Sequence, residues 1–237
     1  MIIRNTKLKT AIYLLAVLFF LFLTKSVYAA TYYVSTAGNF SIDRTRDVED
    51  YVFGRSNYLI VASYNDDNIA IFNITNLRYP QNITSFNSSA GTCSLDGVTE
   101  LEYANYSGSN FVVATSYIDD TLTILNITNN GLACVRSYTD SLTAGSIDGA
   151  SALNVIGEIA YVTSDVDDYL TMVNISSATN LNNGYFDNVQ PNSIDSPLGM
   201  DVINTTYGGD FAFVTSLLDD SLTSFNVSIP SAVPIVI

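Results

Sequence analysis

An eighteen-residue unit that occurs four times without a gap constrains this chain more than any other feature. The copies read YLIVASYNDDNIAIFNIT from Tyr58, FVVATSYIDDTLTILNIT from Phe111, IAYVTSDVDDYLTMVNIS from Ile159 and FAFVTSLLDDSLTSFNVS from Phe211, with starts 53, 48 and 52 residues apart. Each has Ser at its sixth position, an Asp pair at its ninth and tenth, and Asn at its sixteenth. An apolar residue follows each pair by two: Ile69, Leu122, Leu170 and Leu222. Self-similarity at a period near fifty marks one supersecondary unit stacked repeatedly.

The unit is β. Each copy opens on a nearly continuous apolar run (58–62, 111–114, 159–162, 211–214), the pattern of a strand buried on both faces. A second run follows each Asp pair (69–72, 122–125, 170–173, 222–225), and the segment between them reads as a turn in which Asp caps backbone amides. Another strand precedes each copy (48–53, 98–103, 152–155, 200–203), and a looser fourth follows at 82–86, 134–138 and 185–189. Four strands in roughly fifty residues, with both sheet faces buried, is the arithmetic of a β-propeller blade. A β-sandwich would expose one face of each strand and show cleaner alternation. The expected architecture is an all-β propeller over 30–237, with four recognisable four-stranded blades at 48–90, 97–143, 149–190 and 198–237. Four blades suit either a closed ring or part of a larger propeller. If the ring closes, 31–36 or 233–237 supplies the last blade's outer strand.

Arg4, Lys7 and Lys9 precede an apolar run at 11–23, followed by Val27–Tyr28–Ala29. That is the pattern of a secretory leader over 1–29, and thirteen apolar residues are too few to span a bilayer. The expected location is secreted or at the cell surface, with no membrane insertion once the leader is removed. Past residue 29 the charge is 5 − 23 = −18, which repels nucleic acid and anionic lipid. Export also permits a disulfide between Cys93 and Cys134, although the blade pattern leaves open whether they meet.

The segments AYVTSDVDDYLTMVNISSATN and YLIVASYNDDNIAIFNITNLRYP resemble the LVIVD repeat of extracellular propellers. In that repeat a YVA-type strand, an acidic turn and an L-x-I-x-D-V-S strand precede a D-P-x-x-P tail. Here Asn–Ile–Thr or a variant replaces Asp–Val–Ser, and the tail survives only as Pro80. YVTN propellers of microbial surfaces are similar too. The resemblance implies a secreted or surface-attached propeller and says little about activity.

The chain has no His, which removes Ser–His and Cys–His pairs and the common zinc sites. Ser63, Ser116, Ser164 and Ser216 precede the acidic turns and suit turn hydrogen bonds rather than nucleophilic attack. The turn acids Asp66, Asp67, Asp119, Asp120, Asp165, Asp167, Asp168, Asp219 and Asp220 are candidate calcium ligands, set against a plain turn role. None has the full spacing of a calcium loop; Asp165-x-Asp167–Asp168 comes nearest and lacks the Gly. Nine sequons are present, at Asn39, Asn73, Asn82, Asn87, Asn105, Asn126, Asn174, Asn204 and Asn226. Strand order puts the acidic turns at one end and Asn73, Asn105, Asn126, Asn174, Asn204 and Asn226 at the other, where glycan is expected. With scattered Asp and four Glu, the expected function is a non-catalytic interaction or structural module without a cofactor, its partner a protein or surface polymer. The alternatives are a hydrolase- or lactonase-like propeller using a divalent metal, and a calcium-binding adhesion module.

Overall fold

The computed structural model describes residues 42–87, 93–128, 131–139, 147–177, 179–180, 194–205 and 209–228. Among them every regular element is a strand: β1 (Thr45–Phe53), β2 (Ser56–Ser63), β3 (Asn68–Asn73), β4 (Gln81–Asn87), β5 (Val98–Tyr106), β6 (Ser109–Ser116), β7 (Thr121–Thr128), β8 (Gly131–Thr139), β9 (Ala150–Ile156), β10 (Ile159–Ser164), β11 (Tyr169–Asn174), β12 (Thr179–Asn180), β13 (Pro197–Thr205), β14 (Gly209–Ser216) and β15 (Ser221–Asn226). They form four antiparallel sheets in sequence order: β1–β4, β5–β8, β9–β12 and β13–β15. These are the blades of a β-propeller. The first strands pack side by side, β1 on β5, β5 on β9 and β9 on β13, so the first strand of each blade is the inner one.

Two details differ from expectation. The third blade's fourth strand is the short β12, paired with β11 straight after the turn at 175–177, whereas residues 185–189 lie outside the described region. The last sheet has three described strands, and both segments considered for its outer strand, 31–36 and 233–237, also lie outside it. The expected leader, 1–29, does so as well.

The apolar runs are continuous because each second strand feeds two cores. On β6, Val112 and Ala114 join Ile60, Ile69 and Ile71 of the first blade, while Val113 joins Leu153 and Val162 of the third. Leu122 and Ile124 of β7 complete the core between second and third blades. Leu170 and Met172 meet Ile194, Ala212 and Val214 between third and fourth. Three inter-blade cores therefore hold the described sheets together. Each crossover contributes one apolar anchor, Leu95, Ile147 or Ile194, fully buried in all three cases.

The register slips once near the start of every inner strand, between Thr45 and Val48, Val98 and Leu101, and Pro197 and Gly199, and opposite Thr163/Ser164 in the third blade. A bulge re-aims side chains. Here it turns the Thr99 and Ser151 hydroxyls onto the next blade's backbone, Thr99 Oγ1 donating to Ala150 O at 3.0 Å and Ser151 Oγ to Pro197 O at 2.5 Å.

Leu122→Ala should cost about 2–5 kcal/mol, because the cavity falls inside a closed inter-blade core. Ile118→Ala, in the adjoining turn and 52% exposed, should stay within about 0.5 kcal/mol. Urea unfolding of the two variants measures both.

Candidate active site on the inner strands

The four Asp pairs occupy the turns between second and third strands. Their carboxylates face backbone amides. The first Asp of a pair binds the crossover into its own blade: Asp66 Oδ2 accepts from Asp43 N at 2.5 Å, Asp119 Oδ2 from Asp96 N at 2.7 Å, and Asp219 Oδ2 from Asp195 N at 2.9 Å. The second Asp reaches forward. Asp67 Oδ1 accepts from Gly97 N at 3.0 Å, Asp120 Oδ1 from Gly149 N at 2.9 Å, and Asp168 Oδ1 from Ser196 N at 2.8 Å, each across a blade junction. Both sides of this latch have left-handed backbone: Asp67, Asp120 and Asp168 at φ 51, 53 and 60, and Gly97, Gly149 and Ser196 at φ 67, 64 and 53. Glycine suits two of the three receiving positions for that reason. The sequence places Asp96, Asp148 and Asp195 in the crossovers at the same end as the Asp pairs, within a triplet Ser–Ile/Leu–Asp that recurs at 41–43, 94–96, 146–148 and 193–195; that the amides of Asp43, Asp96 and Asp195 are what the turns bind is seen only in the structure.

The remaining turn residues also serve the junctions. Asp165 takes Ser196 Oγ from the fourth blade and Tyr117 Oη, at 3.3 Å, from the second. Ser63 Oγ donates to Asp43 O at 2.8 Å, Ser116 Oγ to Ser94 O at 3.4 Å, and Ser164 Oγ to Asp148 O. At the first junction Asp96 stands beside Asp67 and Asp119, and partial burial followed by those two charges raises its pKa. Among the described residues no three carboxylates or cysteines are arranged to hold a metal ion.

Cys93 and Cys134 are bonded, with Cα atoms 5.9 Å apart. Cys134 lies opposite Leu125, within β8 rather than at its tip, and Cys93 lies on the crossover that leads into the same blade. The bridge pins that crossover to the outermost strand. Of the sequon residues, Asn73, Asn174 and Asn226 use Oδ1 to accept from the amides of Thr75, Ser176 and Ser228 at 2.9, 2.8 and 3.1 Å, closing the turns that follow their strands. Asn105 and Asn204 are exposed, Asn126 is half-buried on β7, and Asn39 lies outside the described residues.

The arrangement with chemical potential is elsewhere, on the inner strands. Equivalent positions of adjacent blades carry Asp47 and Glu49 on β1, Glu100 and Glu102 on β5, Asn154 on β9 and Asp201 on β13. Glu100 and Glu102 are two apart on one strand, so their Cα atoms lie about 7 Å apart with side chains on one face. Burial, then the Asp47 charge, pushes the Glu100 pKa to about 7, with Arg46 pulling the other way. Burial pushes Glu102 to about 8, reinforced by Glu49, Asp47, Glu100 and Asp201. Glu49 is raised as well, by burial and then by Asp47 and Asp50. Asn154 Nδ2 donates to Glu102 Oε1 at 3.4 Å from the neighbouring blade, and Asp47 Oδ2 accepts the Leu101 amide at 2.8 Å. Three of the chain's four glutamates thus meet where the blades converge. Sequence reading missed them because they lie outside the repeated unit, on strands that look like ordinary half-exposed β.

No protein-family model and no curated protein matches the chain. Solved structures do. A periplasmic gluconolactonase of Pseudomonas aeruginosa superposes with a TM-score of 0.56 at 17% identity, over 77% of this chain and 49% of that one. A Bacteroides fragilis protein described as a candidate 6-phosphogluconolactonase gives 0.54 at 15%, over 81% and 53%. A hydrazine synthase of Kuenenia stuttgartiensis gives 0.57 at 9%, over 87% and 53%. The chain spans about half the length of the structures it matches. At such identities the likeness establishes the fold.

The expectation of a non-catalytic module, and of no enzyme activity, is corrected at this point. Two of the matching structures carry lactonase names, so this fold is not confined to non-catalytic modules as that expectation assumed. The physical ground for discounting catalysis also fails. It rested on absent His and scarce Glu, yet the fold gathers the few glutamates and holds two of them near neutral pKa.

Asp120→Ala should destabilise the chain by about 1–3 kcal/mol, since it leaves the Gly149 amide at a half-buried junction without its charged acceptor. A thermal or urea melt reads this. Raised glutamate pKa values also set a pH dependence. The folded state holds these protons more tightly than the unfolded chain, so their stabilising contribution is complete below about 4.5 and is lost as pH rises through about 7 to 8. The melting midpoint should be higher at pH 5.5 than at pH 9. The difference should shrink in a Glu100→Gln/Glu102→Gln variant.

Proposed function

We propose that this chain is an exported propeller hydrolase that opens sugar-derived lactones, with Glu100 and Glu102 as its proton-transfer pair. The observation that carries the reading is that two glutamates on one inner strand lie partly buried among Asp47, Glu49 and Asp201, with Asn154 of the next blade on Glu102, surroundings that push their pKa to about 7 and about 8, where acid–base catalysis at neutral pH needs them. Glu100, the more acidic through Arg46, is the base: its carboxylate takes a proton from water as the water oxygen attacks the lactone carbonyl carbon. Glu102, oriented by Asn154, is the acid: it gives its proton to the ring oxygen as the carbonyl carbon–oxygen bond breaks. The product is the open hydroxy acid, and proton exchange with solvent restores the pair. The two groups are coupled, so they titrate as a unit. Both roles are filled by side chains of this chain, and the reading needs no metal.

The substrate class follows from the names of the matching lactonases together with the charge of this protein. A net charge of −14, or −18 without the leader, disfavours a phosphorylated lactone, so the proposed substrate is neutral. Export is part of the proposal. It is supported by the leader-like 1–29 segment, by the Cys93–Cys134 bridge, and by the periplasmic character of one matching structure. We also place the repeat among LVIVD-repeat propellers, on the segments that begin at Tyr58 and Ala160.

Hydrolysis of glucono-1,5-lactone followed in a pH-stat, corrected for the spontaneous rate, tests the reading. Glu100→Gln should lower kcat by about 10²- to 10⁴-fold, and Glu102→Gln should remove the alkaline limb of the pH profile. The 6-phosphorylated lactone should show a lower kcat/KM than the neutral one. A double variant with unchanged kcat/KM would rule the glutamate pair out.

A further inference from the structure

The junction between the first and second blades holds a cavity of about 250 Å³ at the end away from the acidic turns. Its walls are Tyr51, Phe53 and Tyr58 of the first hairpin, Thr84 of β4, and Asn110 and Gly131 of the second blade, with isoleucines between them. The corresponding corner of the next junction is filled. Ladder pairing sets Tyr106 in the place of Phe53, Ala104 in that of Tyr51, Phe111 in that of Tyr58 and Arg136 in that of Thr84. There the small Ala104 lets Tyr106 lie on Phe111 with ring centroids 4.4 Å apart, and Arg136 Nη1 donates to Ser176 O of the third blade. At the first junction Tyr51 takes the place over Tyr58, at 4.9 Å, and the Phe53 ring stands 54% exposed at the rim. Thr84 is too short to cross. Two differences of residue, Tyr51 for Ala104 and Thr84 for Arg136, thus leave open a corner that the repeat fills elsewhere.

The lining has a definite chemistry. None of its ten residues is charged, in a chain with 23 acids. The rings of Tyr58, Tyr51 and Tyr103 are stacked, with centroids 4.9 and 5.3 Å apart and planes within 14° of parallel, which holds the tyrosines as a rigid flat wall. Asn110 Oδ1 accepts from Tyr103 Oη at 2.7 Å and from Asn105 Nδ2, so its own amide N–H groups are what it offers the cavity. Thr84 adds a hydroxyl. A Cβ at Gly131, which sits at φ 123, would lie 2.7 Å from Thr84 Oγ1, so glycine there leaves the hydroxyl its place.

We propose that this cavity binds one neutral pyranose ring, the end sugar of an uncharged glycan. An ion would find no counter-charge. An aliphatic ring would strip water from the Asn110 amide and the Thr84 hydroxyl without replacing its hydrogen bonds. A sugar ring meets both demands, since its C–H face packs on aromatic rings while its hydroxyls pair with amide and hydroxyl groups. The volume falls below the roughly 300–1,000 Å³ of pockets that hold drug-sized ligands, which limits the occupant to a single ring. Phe53 and Ile83, 54% and 51% exposed at the rim, offer apolar contact to the sugar that follows. The site uses none of the glutamates and does not depend on the lactone chemistry.

The test is saturation-transfer NMR and calorimetric titration of the full chain with the methyl glycosides of glucose, galactose and mannose. Export to a bacterial periplasm forms the disulfide and leaves the sequons without glycan. At least one sugar should bind with a Kd of about 1 mM, the range of a ligand of about a dozen heavy atoms. Cyclohexanol, with the same ring size and a single hydroxyl, should bind at least tenfold more weakly. Thr84→Arg carries the residue of the second junction into the first and should weaken sugar binding at least tenfold. Thr84→Val keeps the shape, suits a strand and removes only the hydroxyl, so it should weaken binding several-fold even if the arginine variant fails to fold. Ile118→Ala, at the other end of the blades, should bind as the parent chain does. No transfer to any of the three sugars at roughly tenfold above that Kd would overturn the proposal. Cyclohexanol binding as tightly as the sugars would overturn it by showing a merely apolar cavity. Sugar binding unchanged in both Thr84 variants would overturn it as well, by placing the sugar elsewhere on the protein.

Discussion

A blade of four strands has two apolar faces and can bury neither by itself. The packing of the described blades follows from that constraint. The second strands, with Val112, Val113 and Ala114 as the clearest case, are apolar on both sides because each serves two junctions. A fully buried side chain of this size stabilises by about 1.5–3 kcal/mol, so a junction with half a dozen of them is worth more than any single polar contact in the molecule. The blades are nearly independent sheets joined through their faces, and stability is a sum over neighbours.

Apolar faces do not set the angle or height at which one blade meets the next. The acidic turns supply that geometry. Asp66, Asp119 and Asp219 bind the segment that enters their own blade, while Asp67, Asp120 and Asp168 cross to the next, so in the first two blades one dipeptide carries both a local and a long-range restraint. The left-handed backbone of Asp67, Asp120 and Asp168 aims the carboxylate forward, and the matching left-handed residue in the following crossover aims an amide back. Ionised acceptors make these stronger than neutral hydrogen bonds. Part of the protein's acidity is thus a structural device: six of its 23 acidic side chains accept from backbone amides in or beside these turns.

The inner strands reverse that logic. There carboxylates lie among carboxylates, partly buried, and their raised pKa values record an arrangement that costs stability at high pH. Strain of this kind concentrates at functional sites, supported by a scaffold that is over-determined elsewhere. Three packed junctions and a disulfide that pins a crossover provide such a scaffold here. Propellers related only by fold carry unrelated chemistry, as the lactonase and hydrazine synthase likenesses illustrate, so the activity has to be argued from these few side chains.

The sequence by itself determined the repeat, the strands and the propeller, because a pattern of apolar runs and turn residues specifies local structure and the faces that must be buried. It also placed Asp67, Asp120 and Asp168 in turns. It did not show that each reaches into the following blade, since the receiving amide lies about thirty residues away and hydrogen bonds between turns leave no periodic trace. The same holds for Cys93 and Cys134, whose meeting depends on the path of a crossover. Glu49, Glu100 and Glu102 were invisible as a group for a related reason: on their own strands they are isolated polar residues, and only the convergence of blades towards one axis gives them shared burial and shared charge. Tertiary structure alone decided those pKa values, because desolvation and charge–charge repulsion depend on distance through space and not on distance along the chain.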